Sequence, residues 1–188
     1  MRFSARVCLL LLACSAPICS AITIAPNPPA FIPMQASADS GKLLIDIPGW
    51  NQPFLMVATL ENALGSNDIG LDRAANGNPM LVEFRRVGQK AFLVQRNTAF
   101  VADSADADEA RAAKDAFAES VLWAGPILPG TPARVDITAL ATTDWVGVAD
   151  RLQATEQGGY RLDGDRSSIV PNDARSFPDN SDVTALLT

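Results

Sequence analysis

The stretch MLVEFRRVGQKAFLVQRN, residues 80–97, constrains the fold more than any other part of the chain. Val82 and Phe84 alternate with Glu83 and Arg85, and Phe92 and Val94 alternate with Leu93 and Gln95, on either side of Val87-Gly88-Gln89-Lys90. Two alternating runs of strand length joined by a glycine-containing loop predict an antiparallel hairpin. Shorter β-type runs flank it. GKLLIDIPGW is closed by the Pro48-Gly49 turn signal, PFLMVATL covers residues 53–60, and ARVDITAL covers residues 133–140. GGYRLDGDRSSIV, residues 158–170, predicts a further hairpin with Gly164 in its turn, and DWVGVADRLQ, residues 144–153, a short helix.

One longer helix is expected at about residues 106–123. Asp103, Ser104 or Asp106 can cap it, the acidic first turn suits the helix dipole, and Gly125-Pro126 stops it. Ala113, Phe117 and Val121 recur at i, i+4 beside Ala110 and Ala124, a face expected to pack on the sheet. The fold class is therefore α+β, mainly β: an antiparallel, sandwich-like domain with one main helix packed on it.

The first residues have another character. Arg2 and Arg6 precede an apolar run and then the small residues Ser20 and Ala21, the order of a secretory signal peptide over residues 1–21. Cleavage ahead of Cys14, in LLAC, would instead leave a lipid anchor on that cysteine. Cys8, Cys14 and Cys19 are the three cysteines of the chain, so the mature domain has no disulfide to lean on. Pro26, Pro28, Pro29 and Pro33 make residues 22–40 an extended linker or edge segment. The domain itself is expected at residues 41–188. No later segment has the roughly 20 apolar residues of a membrane span. An exported location follows: periplasmic, outer-membrane-associated or extracellular.

Composition then removes whole classes of function. With 15 basic and 21 acidic residues and a net charge of -6, nucleic acid and anionic membranes are poor partners. The chain has no histidine. With the cysteines confined to the leader, a zinc site of nitrogen and sulfur ligands and a Ser-His-Asp or Cys-His centre are excluded. Carboxylates, three lysines and Tyr160 remain for acid-base work.

The densest oxygen cluster is ALGSNDIGLDR, residues 63–73, with Asp68 and Asp72; a second is DGDRS, with Asp163 and Asp165. Both fail the spacing of a helix-loop-helix calcium loop. In the structural reading, Asn67 and Asp68 bond nearby backbone, Gly65 and Gly70 take positive φ, Ile69 and Leu71 turn inward, and Asp72 pairs with Arg73. Trp50, Trp123 and Trp145 each lie beside an apolar run, which favours core or rim packing over a binding platform.

Several segments, taken in order, resemble a known family. GKLLIDIP, FLMVATLENALGSNDIGLDR, VEFRRVGQKAFLVQRN, DAFAESVLWAGPI, GVADRL, GGYRLDGDRSSI and ARSFPDNSDVTALLT run from residue 41 to the end. They are similar to the N-terminal, non-catalytic region of bacterial exported zinc-dependent metalloproteases of the metzincin type. GSNDIGLDR is the most specific of them, and AANGNP after Arg73 departs from the pattern. In that family a separate domain carries the HExxH helix, which supplies two zinc ligands and the general base. Nothing here matches it, so the resemblance implies no catalytic, metal or cofactor-binding residue in this chain and no peptidase activity by itself.

The implied partner is a metalloprotease catalytic domain, encoded at the same locus or missing. SDVTALLT ends in a β-type run that continues in relatives, so the domain is expected to be incomplete at its C-terminus, with an unpaired edge. The alternatives are a stand-alone exported β-rich binding or structural module and, least supported, a hydrolase working through two carboxylates such as Asp68 and Asp72.

Overall fold

The structure, a computed structural model, describes residues 29–62, 67–100 and 106–188. In chain order its longer strands are β1 (Met34–Ala36), β2 (Leu43–Asp46), β3 (Phe54–Met56), β4 (Met80–Val87), β5 (Lys90–Gln95), β6 (Ser120–Pro126) and β7 (Arg134–Asp136). Helix α1 (Ala107–Ala116) lies between β5 and β6, and α2 (Thr138–Ala141) and α3 (Val148–Ala154) follow β7. Four two-residue strands end the chain: β8 (Ser168–Ile169), β9 (Arg175–Ser176), β10 (Ser181–Asp182) and β11 (Ala185–Leu186).

The expected hairpin is β4–β5, closed at Val87↔Lys90 with Gly88 at φ 59°. It forms the centre of a four-stranded antiparallel sheet of order β3-β4-β5-β6, and a three-stranded sheet of order β1-β2-β7 lies against it. Leu43, Ile45 and Val135 from the smaller sheet meet Met80, Val82, Phe84, Ala91 and Leu93 from the larger. Ile137, Leu140 and Ile169 complete the buried cluster. The result is a mainly β, sandwich-like fold. In β5 the inward residues are Ala91 and Leu93. Phe92 and Val94 pair with Arg85 and Glu83 on the other face, because register is set by cross-strand partners as well as by hydrophobicity.

Three expectations are corrected. The main helix does not run over residues 106–123: Asp106 caps it, accepting from the Asp108 amide at 2.8 Å, but it ends at Ala116. Val121, Leu122 and Trp123 belong to β6, paired with β5 across a bulge between Leu93 and Val94. Partnership with an open strand edge outweighs a 3.6-residue periodicity made largely of alanines. Nor does α1 pack its Ala-Phe face on the sheet: Ala110 is exposed, Ala113 half-buried, and Phe117 stacks on Phe100 with ring centroids 4.1 Å apart. Residues 158–170 are no hairpin either, since Gly164 opens a 3-10 turn and β8 pairs instead with β11. Asp103 and Ser104, the other candidate caps, lie outside the described residues, as do the leader and Cys14.

Part of the proline-rich segment is indeed an edge strand, β1 on β2. It is clasped from the far end of the chain. Ile32 N–H donates to Ser181 Oγ at 3.1 Å, and the hydroxyls of Ser176 and Ser181 donate to Ile32 C=O at 2.7 and 3.0 Å. The final β-type run divides between β10 on β9 and β11 on β8. No helix of the described residues is long and apolar enough to cross a membrane.

Candidate interaction surface

The two outer faces of the sandwich differ in chemistry. The outer face of the three-stranded sheet carries matched charges: Lys42 pairs with Asp136 at 3.4 Å, and Arg134 holds Asp46 through two bonds of 2.7 and 3.1 Å. Asp46 raises the Arg134 pKa by accepting from it. Burial pushes the Asp136 carboxyl up, but the hydroxyl and amide of Thr138, with Lys42, outweigh it and hold the carboxyl below the ordinary value of 3.8. Thr138 also accepts from Leu43 N–H at 2.9 Å, tying α2 to β2.

The outer face of the four-stranded sheet is apolar at its margins. Leu55 is 75% exposed, Val87 65% and Val121 59%, and Val57 lies just beyond β3. Glu83 is buried at the centre of this face, only 5% exposed. Arg85 compensates it at 2.6 Å and reaches Glu119 with both terminal nitrogens, at 2.5 and 2.9 Å. The Glu119 bond chiefly, with Glu83 and against burial, raises the pKa of Arg85. A buried carboxylate held this way is a positioning device for the loop back into β6, since its removal would leave charge without a partner.

Residues 67–73 of the polar stretch lie at the tip of the β3–β4 hairpin, whose pairing extends through the Thr59↔Asn76 bridge. Residues 63–66, with Gly65, lie outside the described residues. Asn67–Ile69 makes one 3-10 turn, Gly70 has φ 68°, and Leu71 is fully buried. The tip docks on the start of α3: Arg151 donates to Gly70 C=O at 3.0 Å, and the backbone of Trp145 closes on Gly77. Asp144 holds that helix start in place by accepting from the amides of Gly147, Val148 and Ala149. The expected Asp72–Arg73 ion pair does not form among the described residues; both side chains are exposed, and the following Ala74 takes φ 68°.

Asp68 and Asp72 thus sit at the hairpin tip, and Asp163 and Asp165 at the 3-10 turn before β8. Asp163 accepts from the amides of Asp165 and Arg166 and from the Arg166 guanidinium, which makes DGDRS a capped turn. Among the described residues no group of three His, Cys, Asp or Glu could hold a metal ion. Trp50, Trp123 and Trp145 all pack against the core, and Trp145 Nε1 donates to Leu140 C=O at 2.8 Å. They form no shared platform.

Concavities among the described residues include a shallow one of about 70 Å³ over Met34, Leu44, Asp46 and Arg134, and a larger groove of about 420 Å³ between the β4–β5 turn and the β6–β7 connection. No hydrophobic alternation signalled it, because its walls come from Ile127, Leu128 and Pro129, in a loop whose course only the packing of β6 and β7 sets.

Among known proteins, a family described as Domain of unknown function (DUF5117) matches residues 74–188. No curated protein and no solved structure matches the chain.

Proposed function

The chain belongs to the DUF5117 family, and on that premise we propose that it is the N-terminal accessory region of an exported zinc metalloprotease, without peptidase activity of its own. One observation carries the reading: the ordered set of segments from GKLLIDIP to ARSFPDNSDVTALLT, which resembles that region of such proteases throughout the domain. The absence of histidine from the sequence agrees with it, because the zinc chemistry would then reside in another domain. The signal-peptide order read at residues 1–21 supports a location outside the cytoplasm for the pair.

The accessory role is to dock on and steer or stabilise the catalytic domain. The outer face of the four-stranded sheet, with Leu55, Val57, Val87 and Val121 exposed, supports that role. The same face suits a second reading, a stand-alone exported binding module. The gene read past the Thr188 codon separates them. A frame encoding an HExxH helix, whose zinc-loaded product co-elutes with this chain, is the outcome expected. A locus without such a frame, or peptide cleavage by this chain alone, overturns the accessory reading.

A further inference from the structure

We propose that the groove between the β4–β5 turn and the β6–β7 connection binds the C-terminal carboxylate of an apolar peptide segment. The site stands independently of the accessory reading. Arg86 pairs with the fully buried Ala91, so it continues the inward row of Val82 and Phe84 and brings its guanidinium to the mouth of the space between the sheets. Its Nε donates to Gly88 C=O at 3.0 Å and its Nη2 reaches Gln89 Oε1 at 3.5 Å. These bonds orient the side chain from the turn and leave Nη1 and part of Nη2, the two-pronged end that fits a carboxylate.

In the same molecule Arg85 and Arg134 are each held by a carboxylate through two bonds. Arg86 enters no ion pair among the described residues, so its guanidinium is open to a ligand carboxylate. The opposite wall is Ile127, Leu128, Pro129 and Ala133.

The groove holds about 420 Å³, with Ile127, Leu128, Pro129 and Ala133 facing Arg86 and Gln89, and is open along one side, so it admits the end of a chain. A terminal carboxylate is the form of acid that fits this layout. It places the charge one bond from the Cα that carries the last apolar side chain, so the charge meets Arg86 as the side chain meets Ile127 and Leu128. An internal Asp or Glu would bring flanking amides against the apolar wall at a desolvation cost.

The test is fluorescence anisotropy on the mature chain with a dye-labelled hexapeptide ending in Val-Ile-Leu, as the free acid and as the C-terminal amide. The acid is expected to bind about tenfold or more tightly than the amide, the scale of one charge-assisted pair. Arg86→Gln should abolish that difference with an unchanged circular dichroism spectrum and melting temperature, and Arg86→Lys should keep part of it. Equal binding of acid and amide, discrimination that survives Arg86→Gln, or no binding of the acid at about 1 mM would overturn the proposal. Displacement of the peptide by decanoate at a lower concentration than by unlabelled peptide would overturn the peptide assignment.

Discussion

Gly77 shows what a single residue carries here. A Cβ at this position would lie 2.4 Å from the carbonyl oxygen of Trp145, a backbone atom that cannot step aside. Gly77→Ala is expected to destabilise the fold by about 1–3 kcal/mol, read as a lowered urea midpoint with an unchanged slope, because it pushes the hairpin tip off α3. Asp136 carries a pH dependence. Its folded pKa is below the ordinary 3.8, so the unfolded chain takes up the proton more readily. The stability this group contributes is present above that value and is lost as the pH falls through and below it. Asp136→Asn should flatten the dependence of stability on pH in that acid range and leave the rest of the profile in place, as chemical denaturation at stepped pH would show. Neither effect was legible in the sequence. Gly77 and Asp136 look like ordinary loop and strand residues until Trp145 and Thr138 are brought against them.

The β4–β5 hairpin and the β6 strand mark the limits of local reading at the scale of elements. The hairpin was legible because alternation, strand length and a glycine at the turn all agree. The boundary between α1 and β6 was not, since Phe117 and Val121 continue a helical spacing that tertiary pairing with β5 overrides. The consequence for α1 is measurable. Ala110→Glu on the face once expected to be buried should cost less than about 0.5 kcal/mol, whereas Leu93→Ala in the core of β5 should cost about 2–5 kcal/mol. Thermal melts of the two variants check the contrast. A large loss in the first would restore the helix to the sheet surface.

The whole molecule is closed by contacts between residues far apart in the chain. Ser181 and Ser176 hold the backbone of Ile32 from 149 and 144 residues away. Ser181→Ala removes both a donor and an acceptor from that backbone and should cost about 1–3 kcal/mol. It should also speed proteolysis ahead of β1 more than elsewhere, as mass spectrometry of limited digests would report. Residue types and their local order were enough to specify a β-rich chain without histidine chemistry, a helix cap among Asp103, Ser104 and Asp106, and a central hairpin. These properties depend on side chains within a few positions of each other. Residues 67–73 became a docked hairpin tip, Arg86 came to face an apolar groove, and the helix gave way to β6 only in the folded chain. Each of those outcomes turns on which distant backbone or side chain arrives as a neighbour, and long-range packing alone decides that.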